Sequence, residues 1–346
     1  MKKHQAGMAL ALLCGVAAVA FIVYRWRTSG FDWRQFADTI RRADLCWLAV
    51  SIILILATYA GRALRWEVML RPLTNQARML PVLSATCIGF AAVVLFGRAG
   101  EPVRPFLISR KTGVPFTGQV AAWVVERILD LLMVLVIFGI ALTQVSHSAV
   151  RPSPRVETIL QAAGGIAGVS GLIAFALLLG LRQFHGSVQK RLLEALAFLP
   201  ERAMVRVERF LAAFGEGMTS TRSAAFALEL LVYTAAEWAV IVGAFYYLLH
   251  AVPATAGLSL TDAVIVLGFV SLGSIVQIPG VGGGIQIVTV LVLTQFYGIA
   301  LEAASGIALL WWIVGFVTIV PIGLILAFHE GIKWRSLRHI SPADSL

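Results

Sequence analysis

Three charges, two glycines and a proline stand together in Phe96-Gly97-Arg98-Ala99-Gly100-Glu101-Pro102-Val103-Arg104, directly after a long apolar run. An unpaired charge at membrane depth costs about 2.5–3.5 kcal/mol even on permissive insertion scales, so Arg98, Glu101 and Arg104 are expected to face protein or a wet cavity. Guanidinium groups in such a place suit a phosphate or another anionic headgroup, with the carboxylate balancing them or taking a cationic part. A second break, Ile278-Pro279-Gly280-Val281-Gly282-Gly283-Gly284-Ile285-Gln286, interrupts another apolar run. Gly280, Gly282, Gly283, Gly284 and Gln286 can offer backbone amides and a half-helix N-terminus to an anion, or they can form a hinge or a close-packed kink. This stretch is not a dinucleotide fingerprint, since Ile285 fills the third glycine position, and no Walker lysine follows.

Three further sets of polar residues recur at helical spacing. Tyr59, Arg62, Arg65 and Trp66 fall three or four apart and share a face, either as a headgroup-level anchor or as the phosphate-binding edge of a cavity. Trp123, Glu126, Arg127 and Asp130 occupy another apolar run; Arg127 and Asp130 can pair within the helix, which leaves Glu126 for a partner elsewhere. Glu229, Tyr233 and Glu237, at i, i+4 and i+8, form a polar stripe on an otherwise apolar segment. Catalytic signatures are missing: the sequence has no GxSxG, no HExxH and no cysteine–histidine pairing with a base, so no enzyme is expected. Neither a metal site nor a cofactor is expected, because the six histidines are scattered and the three cysteines show no CxxC spacing.

The elements that must hold these residues are membrane helices. Apolar residues make up 59% of the chain and charged ones 13%, against roughly a quarter charged in soluble domains, and the mean hydropathy is +0.86. The apolar runs are long enough to cross a hydrocarbon core about 30 Å thick at about 1.5 Å per residue. The net charge of +10 comes from Lys and Arg in short connecting segments, which fits retention on the cytoplasmic side and contact with anionic lipid rather than nucleic acid.

In chain order the crossings are expected near 7–24, 45–64, 118–143, 159–181, 225–249 and 303–329, the first one uncleaved. A short amphipathic helix at 31–42 should lie in the interface, and Gly164, Gly168 and Gly171 mark close helix packing. Between the crossings, 79–108, with its charged break at 97–104, and 263–297 are expected to be re-entrant hairpins dipping in from opposite faces. The charge count requires this, since it places the basic segment 182–222 and the tail 330–346 on the cytoplasmic side together with the N-terminal lysines. Irregular backbone at that depth is tolerated only beside protein or cavity water, so the hairpins imply a cavity. The expected architecture is an all-α polytopic protein, one integral membrane domain over 1–346, with an amphipathic cytoplasmic segment at 182–222 and both termini cytoplasmic.

Arg65-Trp66, Gly97-Arg98-Ala99-Gly100-Glu101 with Arg104, Glu126-Arg127 with Asp130, and Pro279-Gly280 with its following glycines together resemble the lysylphosphatidylglycerol synthetase transmembrane domain family, also called flippase-like. The likeness runs from about residue 10 to 328 and is most specific in the Gly-Arg-Ala-Gly-Glu block. It implies movement of a polar or charged lipid across a bacterial inner membrane, by a stand-alone form without the synthetase domain. Phe96 stands where the family often has proline, and Gln286 where it often has glutamate. The second change removes a titratable group and weakens a role for that position in proton coupling.

The expected function is therefore a lipid flippase or exporter, with substrate contacts from Arg62, Arg65, Arg98, Glu101, Arg104, Glu126, Arg127, Asp130, Glu229, Tyr233, Glu237 and the second glycine stretch. Its partner is a membrane lipid, and an enzyme of lipid biosynthesis is a possible second one. Two other readings stay open: a membrane-embedded transferase using a lipid-linked donor, with Glu126 or Glu237 as base, and a non-catalytic partner in an envelope pathway.

Overall fold

A computed structural model describes residues 30–147 apart from 72, 75 and 76, then 164, 165, 169, 171 and 173, then 224–273, 277–278 and 282–331. The expected first crossing, the segment 182–222, nearly all of the tail and Gly280 lie outside the described residues, as does most of the expected crossing at 159–181.

The described chain is helical except for one pair of two-residue strands. Its helices are α1 (Trp33–Arg41), α2 (Leu45–Leu70), α3 (Met79–Phe96), α4 (Val103–Thr112), α5 (Phe116–His147), α6 (Ala224–Ala251), α7 (Leu260–Gly273), α8 (Gly284–Tyr297), α9 (Leu301–Trp312) and α10 (Ile319–His329). Among the described residues, four stretches are long and apolar enough to cross a membrane: Leu45–Leu70, Met79–Gly100, Ala225–Ala251 and Leu301–His329.

Short polar residues start several helices. The Asp32 carboxylate accepts from the Arg34 and Gln35 amides at 2.8 and 3.2 Å, and Asp44 accepts from those of Cys46 and Trp47 at 2.7 and 3.3 Å. Such caps satisfy N–H groups that have no partner within the helix. Helix α1 has no buried residue, and Phe31, Trp33 and Phe36 cluster beside it with centroids 4.7–5.9 Å apart. Its attachment is to α9, where Gly306 packs against Thr39 and Glu302 accepts from the Asp32 amide at 3.2 Å.

Helices α2 and α6 run antiparallel: the Asp44 amide donates to the Ala251 carbonyl at 2.8 Å, and at their other ends Arg71 meets Glu229 at 3.1 Å. Helix α3 stops at Gly97, whose φ of 62° favours glycine, and one turn of tighter helix, Gly97–Gly100, leads into α4. Helix α4 then folds back along α3. Gly89 abuts the backbone of Arg104, Gly100 abuts the Ala92 carbonyl, and the Lys111 ammonium reaches the Ser84 hydroxyl at 3.2 Å. Side chains at Gly89 or Gly100 would force these segments apart, so the two glycines set how tightly the hairpin closes.

A second hairpin pairs α7 with α8. Gly273 and Gly284 touch at its tip, where strands β1 (Gln277–Ile278) and β2 (Gly282–Gly283) pair antiparallel. At its open end the Tyr297 hydroxyl meets Asp262 at 3.2 Å. Helices α9 and α10 form one rod interrupted by a wider π-type turn, Ile313–Val317. Lys111 and Ser84, at the open end of the first hairpin, both contact Glu330 just beyond α10, whereas the open end of the second adjoins the start of α9. The two hairpins therefore enter the bundle from opposite ends of that rod.

Candidate functional site

The hairpin tips approach one cavity of about 450 Å³. Its polar lining includes Arg62 from α2, Glu101 between α3 and α4, Arg104 from α4, and Arg127 and Asp130 from α5. Apolar residues complete it, among them Phe90 and Val94 of α3, Leu267 and Val270 of α7, Ile285 of α8, and Trp311 of α9. The cavity lies where two hydrophobic clusters meet, one built around Phe245, Leu267 and Trp311 and the other around Trp66, Val103 and Leu129.

Behind the arginines is a buried ionic network. Arg65, with no exposed side-chain surface, lies 2.7 Å from Glu126, 2.8 Å from Asp130 and 3.5 Å from Glu237, and it donates to the Thr234 hydroxyl at 3.0 Å. One terminal nitrogen of Arg104 reaches both Glu126 oxygens, at 3.1 and 2.9 Å, while the other donates to the Arg62 carbonyl at 3.3 Å. The Arg104 guanidinium also lies 4.0 Å from the Trp66 ring centroid, and Arg62 lies 4.8 Å from that of Phe90; both are cation–π distances. Trp66 is held in turn by its indole N–H, which donates to Gln119 at 2.8 Å.

Arg62 Nε approaches Glu237 to 2.9 Å without the alignment of a hydrogen bond, so the contact is ionic. Arg127 pairs within α5 with Asp130 at 3.5 Å, as the i, i+3 spacing predicts, yet its side chain stays 45% exposed. Four guanidinium groups thus face three carboxylates, Glu126, Asp130 and Glu237. Glu101 on the cavity wall brings the carboxylates to four, so the charges of the site balance overall, with the guanidinium groups paired to the first three. Glu101 has no ionic or hydrogen-bonding side-chain partner among the described residues, although it lines the same cavity.

Of the residues singled out by sequence, the fold brings Arg62, Arg65, Glu101, Arg104, Glu126, Arg127, Asp130 and Glu237 to the cavity or the network behind it. The remaining ones lie apart. Arg98 is exposed on the hairpin turn. Glu229 pairs with Arg71 at the bundle end, and Tyr233 packs against the cluster around Trp66. The polar stripe of α6 is therefore divided between three environments. Gly283 donates its amide to the Gln286 side chain at 2.6 Å, so Gln286 caps α8, and Gly282 pairs with Ile278. Gly284 packs against Gly273, and among the described residues of this stretch only Ile285 lines the cavity.

Sequence reasoning passed over Thr234, Gln119 and the cavity-lining Trp238. Thr234 and Trp238 flank the α6 polar residues by one position, a signal hidden by the apolar stretch around them. The π-type turn was missed as well; it places Gly315 and Phe316 on the cavity and offers the Gly315 carbonyl to the Tyr59 hydroxyl at 3.3 Å. Among the described residues, no group of three or more His, Cys, Asp or Glu has the geometry to hold a metal ion.

The chain is 26% identical over 160 residues to a protein named glycosyltransferase AglD from Haloferax volcanii, a match covering 46% of this chain and about a quarter, 24%, of that relative. No solved structure matches. The family described as the lysylphosphatidylglycerol synthase TM region matches residues 8–323, nearly the whole sequence, and the chain belongs to that family.

Proposed function

We propose that this protein moves a lipid with a polar or anionic headgroup across the bacterial inner membrane, and that the cavity between the hairpin tips receives the headgroup. The observation that carries the reading is the arginine-edged cavity beneath apolar walls, built from helices that enter from both ends of the bundle. Arg62, Arg104 and Arg127 hold the anion. Glu126, Asp130 and Glu237 keep the guanidinium groups in place when the cavity is empty, and Arg65 ties those carboxylates together. Acyl chains follow the walls formed by Val94, Leu267, Val270 and Trp311.

In the membrane the two hairpins are re-entrant and six segments cross, with both termini cytoplasmic. Support for the second hairpin is its length. Helices α7 and α8 have 14 residues each, about 21 Å at 1.5 Å per residue, against a hydrocarbon core of about 30 Å. The stretch Met79–Gly100 is long enough to cross by itself, but the close return of α4 along α3 favours a dip and return.

Purified protein in liposomes containing fluorescent phospholipid tests the reading by dithionite quenching of the outer leaflet. Transbilayer movement should be present and should fall in Arg62→Ala, with the variant folded. Folded wild-type protein that moves no bacterial lipid class would refute it.

The glycosyltransferase-named relative favours a second reading, a membrane-embedded transferase acting on a lipid-linked donor. Lipidomics of a deletion strain separates the two. A missing lipid species indicates synthesis, and an intact species on the wrong leaflet indicates transport.

A further inference from the structure

Trp238 lies on α6 one residue beyond Glu237 and lines the cavity. Its indole Nε1 is buried and has no acceptor among the described residues. An N–H in this position gives up its water without gaining a protein partner, which native interiors rarely tolerate without a reason. The ring packs on the hydrophobic cluster containing Ile241, Leu267, Val270, Ile285 and Trp311. Arg104 instead stacks on Trp66 of the other cluster. The cavity thus has an ionic edge and, on its apolar side, a neutral donor that has no protein acceptor among the described residues.

We propose that the Trp238 indole N–H hydrogen-bonds an ester carbonyl of the bound lipid, so that this side chain reads the junction between headgroup and acyl chains. The inference rests on the lipid-binding reading above and adds a selectivity to it. A phosphate or carboxylate would be drawn to the guanidinium groups. The acceptor left for a neutral donor between apolar walls is one that carries no charge and sits where the tails begin, and a glycerol ester has that character. A lipid joined through ether links presents a much poorer acceptor at the same place, since the carbonyl oxygen is gone.

The test compares two probes with one headgroup, dioleoyl phosphatidylglycerol and its dialkyl-ether analogue, binding to the purified full chain in detergent as followed by native mass spectrometry. Wild-type protein should prefer the ester by about five- to tenfold, the worth of one neutral hydrogen bond. Trp238→Phe keeps the ring and should bind both lipids equally, at the wild-type level for the ether. Equal binding of the two probes by wild-type protein, a comparison that needs no variant, overturns the Trp238 assignment and leaves the headgroup reading standing. A Trp238→Phe protein that keeps the full preference also overturns the assignment. Binding of neither probe by folded wild-type protein overturns both.

Discussion

Arg104 and Glu126 meet through one guanidinium nitrogen placed 3.1 and 2.9 Å from the two carboxylate oxygens, with both side chains almost wholly withdrawn from solvent. The pair joins the returning arm of the first hairpin to α5. Arg65 presses on the same carboxylate from α2 at 2.7 Å, so three separate segments depend on Glu126.

Glu126→Gln should therefore be among the most damaging conservative changes in the chain. It leaves Arg65 and Arg104 buried against a neutral amide, and breaking one side of a buried pair typically costs about 3–5 kcal/mol. Thermal unfolding of the purified protein in detergent should show a large fall in midpoint. A midpoint within a degree of wild type would mean that water reaches this network.

Glu101→Gln is expected to do the reverse. Its carboxylate lines the cavity without an ionic partner among the described residues, so neutralising it should leave the unfolding midpoint close to wild type while lipid movement in liposomes falls. Unchanged transport would remove Glu101 from the site.

Arg127→Ala separates headgroup contact from scaffold. With 45% of its side chain exposed and its nearest carboxylate at 3.5 Å, the contribution of Arg127 to stability should stay below about 1 kcal/mol. Lipid movement should nevertheless drop several-fold, and the loss should shrink as salt is raised, because ions screen the attraction that the wild-type arginine exerts.

Two glycines in neighbouring helices make a further contrast. A side chain at Gly89 collides with the backbone of Arg104, whereas one at Gly61 on α2 meets nothing within 4 Å. Gly89→Val should destabilise the protein and weaken lipid binding together, because it displaces Arg104. Gly61→Ala should raise stability by about 0.5–1 kcal/mol, the usual gain on replacing a helix-interior glycine. Unfolding midpoints of the two variants moving in the same direction would contradict the hairpin packing.

Much of the scaffold was legible in residue order because its cause is local. Apolar runs marked the long apolar helices, Gly97 and the glycines near 283 marked the turns between α3 and α4 and between α7 and α8, and the i, i+3 spacing of Arg127 and Asp130 foretold their pairing. The residues that fill the site were mostly visible as well, since a charge inside an apolar run is conspicuous wherever it falls.

The division of labour among those charges came from tertiary structure alone. Periodicity puts Arg62 and Arg65 near one face of α2. It cannot say that Arg65 turns inward to three carboxylates on α5 and α6 while Arg62 edges the cavity, because that depends on how those helices sit against α2. The same limit applied to Glu229, Tyr233 and Glu237, one stripe in sequence but divided in space between the bundle end, a hydrophobic cluster and the ionic network. Helical phase specifies direction around one axis, and burial and pairing depend on what the neighbouring axes bring to meet it.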